Sequence, residues 1–254
     1  GAYVMYAPMF AALIRLADYH LILGHRLSEW CGQAPMLEED LAMPNIALDL
    51  IGQARALYSY AGDMEALGRD EDILAFGRLE RDYQNLLICE LPNGDFAQTM
   101  LRQFYFASFM LLFWAEAEGS SNAAVAAIAA KAVKEAKYHR RHCGEWVIRL
   151  GDGTEESTRR MQKACSVLEP YLGEFFAVGD VELEMSKALI LPDPQSLRGA
   201  WLADVCEVFK AAKLQAPDLT HAHKGGREGR HTEAMGHLLT QLQYMQRSFP
   251  NMTW

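Results

Sequence analysis

Apolar positions recur every three or four residues along almost the whole chain, and no stretch of several residues alternates apolar with polar positions. That period predicts an all-helical protein. The first candidate helix runs from about Phe10 to Cys31, with Phe10, Leu13, Ala17, Leu21, Gly24 and Leu27 on one face. A second spans about Met36 to Ala61, and Pro44 either kinks it or marks its real start, because an interior proline removes a backbone hydrogen bond. A shorter helix is predicted from Asp72 to about Leu87. After the turn Leu91-Pro92-Asn93-Gly94-Asp95, Asp95 is placed to cap a third long helix, Phe96 to about Glu118. This one is apolar nearly all round between Phe104 and Trp114, the mark of a helix covered on several sides. The fourth, Ala123 to Leu150, carries a stripe through Val125, Ile128, Ala132, Ala136, His139, Cys143, Trp146 and Leu150. Thr154 caps a fifth reaching about Phe176, and helices from about Ser196 to Leu214 and Thr232 to Arg247 complete the chain.

Four long helices with short or one-helix connections describe a four-helix bundle with additional C-terminal helices. The expected organisation is a single helical domain over residues 1–254, with a bundle core at about 10–150 and additions at about 154–254. Within it, the acidic and then proline-bearing segment Val178 to Pro194 is the best candidate for a connector.

Composition narrows the function. Thirty-three acidic against 24 basic side chains leave a formal charge of −9, which disfavours nucleic acid as a partner, since duplex binding needs a basic field. Half of the residues are hydrophobic, enough for a substantial core. The longest uncharged apolar run, Phe104 to Ala115, is too short to span a bilayer, and Arg15, Asp18 and His20 interrupt the N-terminal apolar stretch. No membrane association or signal peptide is expected. The five cysteines, Cys31, Cys89, Cys143, Cys165 and Cys206, contain no CxxC pair and read as reduced thiols of a cytoplasmic protein.

A long helical bundle is a common home for a di-iron carboxylate centre built from glutamates and Glu-x-x-His pairs on facing helices. Residues three apart share a helix face, so both side chains reach one metal pair. On the inward face of the fourth helix, Ala136 and His139 have that spacing with alanine where a carboxylate is needed, and Glu135 lies about 100° away round the helix. On the second helix, Leu50 and Gln53 stand at the corresponding positions, and the third has no Asp or Glu between Asp95 and Glu116. Iron in such a site requires hard oxygen ligands. The architecture suits oxygen activation while most of its ligands are missing, so His139 and Gln53 read as buried core polar groups.

The C-terminal region is the competing site. His221, His223, His231 and His237 fall close together with Glu228 and Glu233, and Glu228 and His231 have Glu-x-x-His spacing. Two histidines and a carboxylate can hold a mononuclear iron. Gly225, Gly226 and Gly229, however, place Glu228 in a loop, which points to a self-packing or partner-facing segment. Lys224, Arg227 and Arg230, interleaved with those glycines, could instead meet a phosphate, such as that of a CoA, or an acidic surface.

Four segments together resemble a known family: Ser28-Glu29-Trp30-Cys31-Gly32-Gln33-Ala34-Pro35, Asn45-Ile46-Ala47-Leu48-Asp49-Leu50-Ile51-Gly52-Gln53-Ala54-Arg55, Lys134-Glu135-Ala136-Lys137-Tyr138-His139 and Gly225-Gly226-Arg227-Glu228-Gly229-Arg230-His231-Thr232-Glu233. They resemble the family of non-catalytic C subunits of bacterial ring 1,2-phenylacetyl-CoA epoxidases. The resemblance implies a ferritin-like fold and a place in a cytoplasmic, multicomponent monooxygenase of phenylacetate catabolism. It also implies that the di-iron centre and the CoA thioester belong to a paralogous catalytic subunit, and that a separate reductase supplies electrons. That paralogue would carry Glu-x-x-His where this chain has Leu50 to Gln53 and Ala136 to His139. The expectation is therefore a structural subunit with no catalytic residues and no cofactor of its own. Its rivals are a stand-alone metal enzyme using the C-terminal His and Glu cluster, and a metal-free helical protein that only self-associates.

Overall fold

The computed structural model describes residues 2–33, 42–220 and 223–248, with side chains described from residue 7 and not at 32 and 33. Among them are ten α-helices and no strand: α1 (Ala2–Gln33), α2 (Met43–Glu65), α3 (Glu71–Phe76), α4 (Leu87–Glu90), α5 (Phe96–Ala117), α6 (Ala123–Gly151), α7 (Glu155–Leu168), α8 (Asp180–Lys187), α9 (Arg198–Ala212) and α10 (Glu233–Ser248). The chain divides into two compact units. One comprises residues Gly1–Pro92 and Lys224–Trp254, the other Asn93–His223.

In the first unit α1 packs along α2. Gly24 makes this possible: a Cβ there would lie 2.9 Å from Ile51 Cγ1 and 3.4 Å from Leu50 Cβ. α2 begins beside Pro44, in the first helical turn, where its missing N–H is no loss. The predicted start near Met36 lies outside the described residues. α1 is long and apolar enough between Ala7 and Cys31 to cross a membrane, but 72% of the 18-residue apolar window within it is buried in the protein. It is a core helix, and its charged residues Asp18 and Arg26 are themselves buried.

The helix predicted from Asp72 to Leu87 is instead broken into α3, a 3-10 turn at Glu80–Asp82 and α4. Arg78 supplies the reason. Its guanidinium takes the carbonyls of Leu74 (2.6 Å) and Asp82 (2.7 Å) and both oxygens of Asp18, 60 residues earlier. A continuous helix would keep the Leu74 carbonyl for its own ladder.

The second unit is organised around α5, capped as expected by the Asp95 carboxylate, which accepts from the Gln98 amide at 2.9 Å. Residues 101–110 of this helix are all buried. Phe109 meets Phe175 and Phe176 at 4.9 and 5.7 Å between ring centroids, and Trp201 donates its indole N–H to the Tyr105 carbonyl at 3.1 Å. α6 is capped by Asn122 and α7 by Thr154. The buried face of α6 departs from the predicted stripe at three places: Ala129, Val147 and Gly151 are buried in place of Ile128, Trp146 and Leu150. Gly151 sits against α9: a Cβ there would lie 2.5 Å from the Ala212 carbonyl oxygen. The segment expected to be a connector lies within this unit and forms α8, with Leu191 and Pro194 buried.

Candidate functional site

The four degenerate ligand positions are all interior. Leu50 and Gln53 are 2% and 7% exposed on the buried face of α2, and Ala136 and His139 are 3% and 2% exposed on that of α6. Glu135 is half-buried and lies off that face. The pair on α2 supplies one amide and the pair on α6 one imidazole, and neither pair includes a carboxylate, so neither offers the Glu-x-x-His donors of a di-iron site. Gln103 and Ser108, in the middle of α5, are also buried, with no hydrogen-bond partner for their side-chain polar atoms among the described residues. Nor, among the described residues, do three or more His, Cys, Asp or Glu side chains gather as a metal site would need.

Three carboxylates, Asp18, Glu90 and Glu174, are buried among the described residues, and the first two serve protein donors. Asp18, fully buried on α1, accepts from the Tyr58 hydroxyl, from both terminal nitrogens of Arg78, and from the Gln84 amide at 2.8 Å. Burial and the Asp18 charge drive the Tyr58 hydroxyl far above the usual tyrosine range, although Arg78 opposes the shift. Glu90, fully buried at the end of α4, accepts from His231 Nδ1 (2.7 Å) and Asn85 Nδ2 (3.1 Å) on one oxygen, and from the Thr232 amide and hydroxyl (both 2.6 Å) on the other. The signal for both lay in acidic residues set among apolar ones, Ile14 to Leu23 and Leu86 to Leu91, where an unpaired charge is costly.

This second cluster assigns the C-terminal motif. His231 Nε2 faces the Tyr83 carbonyl at 2.8 Å while Nδ1 faces Glu90. Both partners are acceptors, so both ring nitrogens donate, and the ring is held as imidazolium. Burial opposes this charge, but the Glu90 hydrogen bond and charge outweigh it and raise the His231 pKa. No lone pair is left there for a metal. Glu228 is exposed in a 3-10 turn, and His237 is exposed on α10. His223 rests beside Tyr171 at 5.0 Å in the other unit, and His221 lies outside the described residues.

The glycines are explained by close backbone approach. A Cβ on Gly226 would lie 2.1 Å from the Asn85 carbonyl oxygen, and one on Gly229, whose φ is +80°, would lie 2.0 Å from that of Arg81. Of the three basic residues given a phosphate role, Arg227 is buried, donating Nε–H to the Tyr19 hydroxyl at 2.7 Å. Arg230 folds over Gly225, and Lys224 is exposed. Arg227 alone of the three lines a cavity of about 480 Å3, which Arg69, Arg78, Arg81, Asp82 and Glu228 also line. Asp18 and Glu65 already engage Arg78 and Arg69, while Lys224 and Arg230 are exposed away from the residues that line this cavity. A second cavity of about 440 Å3, in the other unit, is bordered by Tyr105, Cys165, Glu169 and Lys213. Burial and the Glu169 charge push the Cys165 thiol up to about 11, against the lowering effect of the Tyr105 hydroxyl. Such a thiol is a poor nucleophile.

Ten α-helices and no strand among the described residues, with the polar side chains of Gln53 and His139 buried on their inner faces, define an all-α class of protein. The chain belongs to the phenylacetic acid catabolic protein family, a ferritin-like family whose profile matches residues 4–254. It is 43% identical over 244 residues to the C subunit of the 1,2-phenylacetyl-CoA epoxidase of Escherichia coli (strain K12), covering 96% of this chain and 98% of that one.

Proposed function

We propose that this chain is a supporting, non-catalytic subunit of a phenylacetyl-CoA epoxidase in phenylacetate catabolism. It pairs with a ferritin-like subunit that carries the di-iron centre, and a reductase component feeds electrons to that partner. The assembly works in the cytoplasm, and this chain contributes helical surface rather than reacting groups. The observation that carries the reading is the occupancy of the ligand positions: Leu50, Gln53, Ala136 and His139 are buried and include no carboxylate. Near full-length similarity to the C subunit of such an epoxidase supports the setting. No step of oxygen chemistry is assigned to this chain.

The test is to purify the complex, separate its chains and measure iron in each, together with the epoxidation activity of this chain alone. Iron in the partner only, no activity alone, and co-elution of the two chains on size exclusion are the expected results. Stoichiometric iron retained by the isolated chain, and lost on His231→Ala, would favour a metal enzyme built on the C-terminal cluster instead. Self-association without binding to the partner would reduce the chain to a helical oligomer.

A further inference from the structure

The Lys134 to His139 motif has an outer face that the ligand positions leave unused. α6 buries Ala132, Ala136, His139 and Cys143, and turns Lys131, Lys134, Lys137, Arg141 and Arg149 outward, all five exposed. At 100° per residue these cations fall within about 120° of the helix circumference. No ion pair among the described residues engages any of the five, and Glu145 is the one exposed acid on the same face. The ridge thus opposes the sign of the whole chain, whose formal charge is −9. Unpaired like charges three and four apart destabilise a helix by a few tenths of a kcal/mol each, so local stability does not explain them.

Aromatic rings punctuate the ridge. Tyr138, 38% exposed, stacks on His142 at 6.0 Å and 24°, and the Arg141 guanidinium lies 5.8 Å from the Tyr138 ring centroid. Arg149 lies 4.9 Å from the Trp146 centroid. Tyrosine and arginine are enriched at protein interfaces and among the residues that carry most of their binding energy.

We propose that the outer face of α6 docks an acidic protein surface on another subunit of the assembly. The inference rests on the reading of this chain as one subunit among several. A protein fits better than a nucleic acid because the acidic remainder of the chain repels a phosphate backbone, whereas a folded partner need present its carboxylates only along the ridge. Complementary charge sets the encounter rate and the register, and both weaken with salt.

The test uses the purified full chain and the other epoxidase subunits, each purified separately, with binding followed by biolayer interferometry at 50 and 500 mM NaCl. One subunit is expected to bind, at least about tenfold more weakly at high salt, as electrostatic steering requires. The variant Lys131→Glu/Lys134→Glu/Lys137→Glu/Arg141→Glu should lose at least about tenfold at low salt, with an unchanged far-UV spectrum because all four side chains are exposed. The milder Lys134→Gln/Lys137→Gln should fall between. Equal binding of wild type and both variants overturns the ridge and leaves the subunit reading intact. No binding of any subunit by the wild type overturns both. A ridge whose reversal abolishes retention on heparin but leaves subunit binding unchanged is a polyanion site, which also refutes the proposal.

Discussion

Glu90→Gln is the sharpest perturbation of the C-terminal lock. The carboxylate accepts four hydrogen bonds, two on each oxygen, and is fully buried. Glutamine matches its shape but turns one acceptor into an N–H2 group: facing His231 and Asn85 it meets two N–H donors, and facing Thr232 it meets the amide N–H, the hydroxyl being able to turn and accept. Each buried donor left without an acceptor costs roughly 1–3 kcal/mol, and removing the negative partner of a buried pair costs about 3–5 kcal/mol. A loss of about 3–5 kcal/mol follows, which for a chain above 150 residues lowers Tm by roughly 6–20 °C. Thermal unfolding followed at 222 nm gives the midpoint, and hydrogen exchange at the Thr232 amide, 2.6 Å from Glu90 Oε2, reports the lock locally. A Tm within about 2 °C of wild type, with Thr232 protection unchanged, would refute the argument that Glu90 anchors the C-terminal segment.

The same lock sets a pH dependence. His231 has a folded pKa above its unfolded value, so its contribution is complete below about 6.5 and is lost as pH rises through the folded pKa; urea midpoints at pH 6 and 8 should differ in wild type and converge in His231→Gln. Gly226→Ala and Gly229→Ala drive a Cβ to 2.1 and 2.0 Å from backbone oxygens, so each should destabilise by about 1–3 kcal/mol or more, read by denaturant unfolding, whereas exposed Gly199, with open space around it, should accept alanine without loss. Ala136→Glu buries a carboxylate where exposure is 3%; its pKa rises, and stability should fall progressively between pH 5 and 8, by about 3 kcal/mol or more at the upper end, so a pH-independent midpoint would contradict the apolar character of that face. Cys165, with its thiol near 11, should react with iodoacetamide at pH 8 more than about a hundredfold more slowly than an unperturbed thiol, as mass spectrometry of the native chain would report.

What the sequence made legible was local. The caps at Asp95 and Thr154, the start at Pro44 and the extents of α5 and α6 follow from signals within a few residues of each feature. The interior placement of Leu50, Gln53, Ala136 and His139 also followed, because helical period alone selects a face. The broken helix after Phe76 was only partly legible: Gly77 at the end of α3 is a local signal, while the hold of Asp18 on Arg78, 60 residues away, is not. His231 and Glu90 are 141 residues apart. The spacing Glu228 to His231 suggested chemistry that the backbone does not support, since φ at Gly229 is +80°. A glycine motif announces a missing Cβ without saying what fills the space, and here neighbouring carbonyls do so.

The buried acids sharpen the contrast with a metal-binding bundle. A carboxylate that bridges metals must keep lone pairs free, and isolated from a cation it is expensive to bury. Asp18 has Arg78, Tyr58 and the Gln84 amide; Glu90 has imidazolium, amide and hydroxyl donors. Both acids therefore spend their acceptor capacity on this chain's own segments, and both locks lie within one compact unit. Asp18 ties α1 to α2 and to the turn after α3, while Glu90 ties α4 to the segment preceding α10. In a di-iron bundle the metal performs part of that cross-linking between helices. Here guanidinium and imidazolium groups perform it, and Leu50, Gln53, Ala136 and His139 bring no carboxylate to their buried faces. Within this unit α1, α2 and α4 are therefore cross-linked by charged and polar groups of the chain itself.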